Sequence, residues 1–305
     1  MTAVDEFNAA QSSLLERYGI EAEPKFIEVP AVQGRVHVLR SGTGPPVVMV
    51  PGFADPAAMW APLMAGLEGF TLYAVDRPCF GLTGRAEHTS ATFRRLAVDF
   101  LEQVIDALEI GRPLFVGNSI GSAWSTWLAL DRPDRVAGLV HVGCPAFWLN
   151  TSAPLPLRLL SIPLLGRFIM ALSPPSPRQA EAFGRKIGGE DLSQFPELRD
   201  LLVAAQRLPD AQDSTLGLLH AVVRLRGARQ EVRLAREQLG QIRHPVLLIW
   251  GSRDAFGGPS VAEEAALAIP DGEVCIVPGA GHIPWVGHPG DVIAAAVPFL
   301  RRHAA

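Results

Sequence analysis

The sequence is poor in several features that mark whole classes of protein. Among 305 residues there are only three cysteines, Cys79, Cys144 and Cys275, far apart and with no CxxC pair. This leaves no basis for a structural zinc site or a redox dithiol. An odd, scattered set fits a reducing compartment better than a disulfide framework. Lysine is almost missing, with Lys25 and Lys186 the only two. Lys and Arg together number 27 against 31 Asp and Glu, a net charge of −4. The chain therefore has no electrostatic footprint for nucleic acid, and no unbroken basic run marks a membrane-surface patch. No stretch approaches eighteen clean apolar residues, so no transmembrane helix is expected. Met1 to Ile20 carries Asp5, Glu6 and Glu16 and lacks the apolar centre of a signal peptide. No internal repeat stands out. The expectation is a soluble cytoplasmic protein, monomer or homodimer, acting without a metal or organic cofactor.

What is present is apolar residues in quantity, 48% of the chain, enough for a sizeable core. Short apolar runs bounded by turn residues recur at Val47–Val50, Leu72–Val75, Leu114–Val116, Ala137–Val142, Val246–Trp250 and Val274–Val277. Runs of this kind read as strands buried on both faces, as in a parallel sheet. Helical periodicity lies between them. From Thr89 to Leu108 the apolar residues Ala97, Leu101, Val104, Ile105 and Leu108 share one face, with Thr89 or Ser90 as the cap. Alternation of strand and helix predicts an α/β fold. Ahead of it, Phe26–Val29 and Arg35–Leu39 flank Pro30 to Gly34 and predict an antiparallel hairpin, and Met1 to Tyr18 predicts an outer helix. The rhythm breaks between Ala146 and about Gln241. This stretch enters through Pro154, Pro156, Pro163, Pro174, Pro175 and Pro177 and continues with helical patterns such as Leu216–Arg226 and Val232–Leu239. It is too long for a loop. The expected organisation is a core of residues 1–145 and 242–305 with a helical cap of residues 146–241.

Chemistry concentrates in Gly117-Asn118-Ser119-Ile120-Gly121. The pattern G-x-S-x-G follows one apolar run and precedes a helical stretch, the strand-turn-helix setting of a nucleophilic serine. The turn holds Ser119 at strained backbone angles, and the flanking glycines remove Cβ atoms that would clash. Such a serine needs a base. His282, in Gly281-His282-Ile283-Pro284, follows the last strand, where sites collect in open α/β sheets. His37, in an alternating strand, and His141, inside a buried run, read as structural. The base needs an orienting acid. Asp254 directly follows the Val246–Trp250 strand, whereas its rival Asp76 precedes the serine and reads as an anchor of the Asp76-Arg77-Pro78 turn. No acidic residue lies between Val140 and Asn150. Oxyanion donors are expected from the backbone N–H groups of Ile120 and of Phe53, which follows Gly52 after the third strand. Trp285, Trp148 and Phe147 are the candidate substrate-binding aromatics.

With these residues in place the chain resembles the α/β-hydrolase fold superfamily, in its lid-bearing serine esterase, lipase and C–C hydrolase branch. The resemblance runs from Phe26 to Arg302 and rests on Pro51-Gly52-Phe53, Asp76-Arg77-Pro78-Cys79-Phe80-Gly81, the serine turn, Gly251-Ser252-Arg253-Asp254 and Gly281-His282. It implies the α/β-hydrolase fold, a mostly parallel eight-stranded sheet with a helical lid inserted after the sixth strand. It also implies hydrolysis of an apolar acyl or aryl ester, or a lactone, through an acyl-enzyme. Two departures stand out: Pro51 occupies the place of a His common in such families, and Cys79 that of a Gly. A serine at position 119 argues against dehalogenases and epoxide hydrolases, which attack with Asp. A hydroxynitrile-lyase reading would need Lys186. Two alternatives remain: C–C hydrolysis of a meta-cleavage-type diketone, using Arg77 or Arg253 for substrate carboxylates, and a non-catalytic ligand-binding homologue.

Overall fold

The computed structural model describes residues 2–149 and 151–304. The strands are β1 (Ala22–Glu28), β2 (Arg35–Ser41), β3 (Pro46–Val50), β4 (Thr71–Val75), β5 (Leu114–Gly117), β6 (Gly138–Val142), β7 (Val223–Arg224), β8 (Gly227–Ala228), β9 (Val246–Gly251) and β10 (Gly272–Val277). Eight form one sheet in the order β1-β2-β4-β3-β5-β6-β9-β10, and β7 and β8 form a separate hairpin. Strand β2 runs antiparallel to β1 and β4, and the other sheet pairings are parallel. This is the α/β-hydrolase fold that the motif order implied.

Side chains along the central strands alternate between two cores. Val48, Val50, Phe115, Leu139, Leu248 and Trp250 pack with the helices Phe93–Ala107 and Ile120–Asp131. Val47, Met49, Leu114, Val116, Leu247 and Ile249 pack with the helices Ala3–Arg17 and Pro289–His303. Covering both faces is what makes the strands read as unbroken apolar runs. The last strand differs: β10 is the sheet edge, and its Val274 is exposed.

Other departures have local causes. The hairpin strands β1 and β2 are longer than their apolar cores suggest, because pairing runs from Ala22 with Ser41 to Glu28 with Arg35. The helix expected from Thr89 starts at Phe93. The Thr89 hydroxyl is 2.6 Å from that of Thr92 and accepts from its N–H, which tightens the entry into a turn. The N-terminal helix spans Ala3–Arg17 with a Thr2–Asp5 capping box; Met1 lies outside the described residues. Between β6 and β9 the chain forms helices Leu155–Leu160, Pro163–Leu172, Pro177–Phe183, Pro196–Arg207 and Ala211–Val222, with a π-helical turn at Gly184–Gly188. The Leu216–Arg226 periodicity outruns its helix, which ends at Val222 as the chain enters the β7–β8 hairpin. The Val232–Leu239 pattern is α-helical only from Arg236.

Candidate active site

Strand β5 ends at Gly117 and a helix begins at Ile120, so Ser119 occupies the bend, at φ 51° and ψ −112°. Such angles cost about 1–3 kcal/mol and persist only where the surroundings impose them. Here the packing is tight. A Cβ at Gly121 would lie 2.1 Å from the Val50 carbonyl oxygen, and one at Gly117 would lie 2.8 Å from the Ser122 nitrogen.

Asp254 and His282 meet from loops after β9 and β10. Oδ2 of Asp254 is 2.8 Å from Nδ1 of His282 and also accepts the Cys144 N–H at 2.8 Å; Oδ1 accepts the Phe256 N–H at 2.9 Å. The loop after β6, which has no acid of its own among the described residues, thus contributes a donor to the acid instead. The Phe256 ring stacks on the imidazole with 4.1 Å between centroids. The backbone of His282 is held at both ends. Its N–H donates to the Gly188 carbonyl at 2.6 Å, and its carbonyl accepts from Nδ2 of Asn118 at 3.1 Å. The Glu190 carboxylate accepts the Gly281 N–H at 3.2 Å. The insert therefore grips the histidine loop directly.

Ser119 and His282 line one cavity of about 470 Å³ together with Asp55, Asn118, Ile187 and Ile283. A second, of about 500 Å³, holds Ser119, Ile120, Phe147, Leu219, Val222 and Val223 but not His282. A third, of about 950 Å³, lies under the helices from Leu155 to Phe183. Phe53 and Leu157 are walls of all three.

Arg77 lies fully buried below the Pro51–Phe53 loop. Its Nε donates to the Pro51 carbonyl at 3.1 Å, and its Nη2 to the carbonyls of Gly52, at 2.5 Å, and Phe53. Its guanidinium also lies over Trp124 and Phe80. Burial pulls its pKa down to about 10, opposed by the charge of Asp55, so it remains a cation at neutral pH. Gly52 is required here because a Cβ would sit 2.3 Å from Oδ1 of Asn118. Asp55, two residues after Phe53, is half-buried and lines two of the cavities. Burial raises its pKa, and the charges of Arg77 and His282 oppose the rise.

The structure brings Ser119, Asp254, His282, Phe53, Ile120 and Phe147 together. Trp285 and Trp148 line none of these three cavities, which corrects the expectation for both. Trp285 donates its indole N–H to the Met59 carbonyl at 2.9 Å and packs on Trp60 in the other core. Trp148 is turned inward, edge-on to His141, because Phe147 and Leu149 on either side both adopt positive φ. Asp76 anchors its turn, accepting the N–H groups of Ala57 and Leu82 and pairing with His37 at 2.7 Å. Cys79 sits at φ 72°, which explains why a glycine suits the position. Burial raises its thiol pKa, so it is not a reactive thiolate. Arg253 bonds the Gly279 carbonyl, Lys186 is exposed, and neither they nor Arg77 line the three cavities. Sequence reasoning missed Asp55, Phe256, Leu157 and Glu190. Only Asp55 had a signal, its nearness to Phe53.

Known proteins share this fold. Over 277 residues the chain is 29% identical to the pimeloyl-acyl-carrier-protein methyl ester esterase of Shewanella oneidensis, covering 87% of this chain and 94% of that protein. In fold it is similar to carboxylesterase CesB from Bacillus subtilis, with a TM-score of 0.78 at 24% identity and 98% of each chain covered. It also resembles the meta-cleavage product hydrolase CumD from Pseudomonas fluorescens IP01, with a TM-score of 0.71 at 19% identity, covering 91% of this chain and 97% of that one. The model of the alpha/beta hydrolase family matches residues 47–296, and the chain belongs to that family.

Proposed function

We propose that the protein is a serine hydrolase of carboxylic esters acting through an acyl-enzyme. One observation carries the reading: the Asp254 carboxylate lies 2.8 Å from Nδ1 of His282, and the imidazole shares a cavity with the strained Ser119. Relatives named as esterases are in keeping with it. The Ser119 hydroxyl attacks the ester carbonyl while Nε2 of His282 takes its proton. Asp254 holds the tautomer and stabilises the imidazolium. The tetrahedral oxyanion is received by the N–H groups of Phe53 and Ile120. Collapse breaks the C–O bond, and His282 returns the proton to the leaving alkoxide. Water, deprotonated by His282, then cleaves the acyl-enzyme to the acid and restores Ser119.

His282 protonates the leaving oxygen, so the alcohol occupies the compartment that His282 lines, facing Asp55. The acyl group takes the other, lined by Leu219, Val222, Val223 and Phe147. That lining suits an apolar acyl or aryl group. The insert, residues 146–241, acts as the cap that shapes both. The Gly52–Phe53 peptide is trans, so its carbonyl and N–H point in opposite directions. Arg77 binds the carbonyl, which aims and polarises the N–H that serves the oxyanion. Arg77 is thereby a positioning residue, committed to the loop and withheld from any substrate carboxylate of the kind the C–C hydrolase reading needs.

The test pairs fluorophosphonate labelling with turnover of p-nitrophenyl esters of graded chain length and of a ring-cleavage dienoate. Labelling that Ser119→Ala abolishes, with fast ester turnover and an inert dienoate, supports the reading. An unlabelled wild-type protein would favour a ligand-binding homologue, and dienoate cleavage without ester turnover would favour C–C hydrolysis.

A further inference from the structure

The helix Pro163–Leu172 is apolar on two sides. Inward, Ile169 and Met170 line the cavity of about 950 Å³. Outward, Leu164, Phe168 and Leu172 recur at four-residue spacing on one stripe and are 84%, 62% and 67% exposed. Leu155, on the preceding helix, is 56% exposed. A helix apolar all round is normally buried, and a contiguous apolar patch on a soluble chain marks an interaction surface.

Charge bears on the kind of surface that fits it. From Thr151 to Ala180 there is no Asp or Glu, but there are three arginines, Arg158, Arg167 and Arg178, in a chain whose net charge is −4. Arg167 stands on the outward side beside Phe168 and is exposed. None of the three forms an ion pair among the described residues. Two copies docked through this face would bring like charges together with no acid in the segment to neutralise them. An anionic lipid surface supplies both an apolar interior for the leucines and phenylalanine and acidic headgroups for the arginines. The arginines are spaced about ten residues apart, which is why they form no basic run in the sequence.

We propose that the stripe Leu164–Phe168–Leu172, with Arg158, Arg167 and Arg178, docks the protein peripherally on an anionic phospholipid surface. The helix then lies in the interface plane. One side rests in the lipid and the other roofs the cavity, so an apolar molecule moves from bilayer to cavity over about one helix diameter, roughly 10 Å. Nothing in this binding requires Ser119.

The test is co-flotation with vesicles of phosphatidylcholine, alone or mixed with phosphatidylglycerol. The proteins compared are wild type, the triple variant Leu164→Ser/Phe168→Ser/Leu172→Ser and the triple variant Arg158→Gln/Arg167→Gln/Arg178→Gln, with circular dichroism melting as the folding control. The expected result is binding to the mixed vesicles, weakened by salt, and reduced about tenfold or more in each folded triple variant. Wild type that stays off the mixed vesicles, or binding that neither variant reduces, overturns the proposal. So does a dimer in sedimentation velocity that the apolar variant dissociates, since a second copy would then cover the face.

Discussion

Replacing Arg77 with methionine tests the proposed oxyanion hole without touching Ser119, Asp254 or His282. The guanidinium is the partner of three consecutive carbonyls, Pro51, Gly52 and Phe53. Without it the Gly52–Phe53 peptide is no longer pinned, and the N–H proposed to serve the oxyanion is free to turn. Loss of one oxyanion donor costs about 10²–10³ in kcat. The apolar compartments proposed to hold the substrate do not include Arg77, so KM stays within about threefold, the pattern of an interaction made only in the transition state. Stability also falls, by on the order of 1–3 kcal/mol for each buried carbonyl left unpaired. Melting curves must therefore establish that the variant is folded at the assay temperature. Arg77→Lys keeps a charge but not the planar fork, and falls between the two. The assay is steady-state hydrolysis of a p-nitrophenyl ester, alongside affinity for a trifluoromethyl ketone whose hemiketal oxygen occupies the hole. The affinity should fall in step with kcat. Folded Arg77→Met with kcat within about threefold of wild type, or a loss carried by KM alone, would refute the argument.

Three further outcomes are expected. Asp254→Asn keeps the shape of the loop but favours the wrong imidazole tautomer, so kcat for the same ester drops by about 10⁴ with near-normal melting. The folded pKa of Asp55 is raised, so its contribution to stability is full below the unfolded value and lost as pH rises through the folded value. Asp55→Asn, still facing Arg77 and His282, should therefore melt higher than wild type at pH 8, with the gap narrowing toward pH 4; a constant gap would contradict this. His141 is depressed to about 3 by burial, the opposite case: its contribution is present above the unfolded value and lost as pH falls below it. Denaturant titrations should show wild type losing up to about 1.4 kcal/mol per pH unit from this group between pH 6 and 4, a slope that His141→Phe reduces.

Much of the arrangement was legible in the chain because it is local. The bend at Ser119 needs a strand end, a helix start and small residues within five positions, and all of these are adjacent in sequence. Asp254 and His282 directly follow apolar runs, so strand order alone placed them on one edge of the sheet. Where propensity was asked to do more it overran: the Leu216–Arg226 periodicity ignored the turn after Val222, and β10 read as buried although it is an edge. The indoles of Trp285 and Trp148 carry no sequence mark of which way they point. Only the tertiary structure could turn one onto Trp60 and the other onto His141.

The sequence by itself pointed to the family, the alternation of strands and helices and the candidate triad, because each rests on short motifs and on period-two and helical spacing. The tertiary structure alone decided how the insert grips the histidine loop through Gly188 and Glu190, that Arg77 bonds the carbonyls of the Pro51–Phe53 loop, and that Asp55 lines a cavity with His282. It also decided that an apolar stripe is left outside. These depend on contacts between residues tens to more than a hundred positions apart and on which faces the packing leaves uncovered, and neither is encoded in local periodicity.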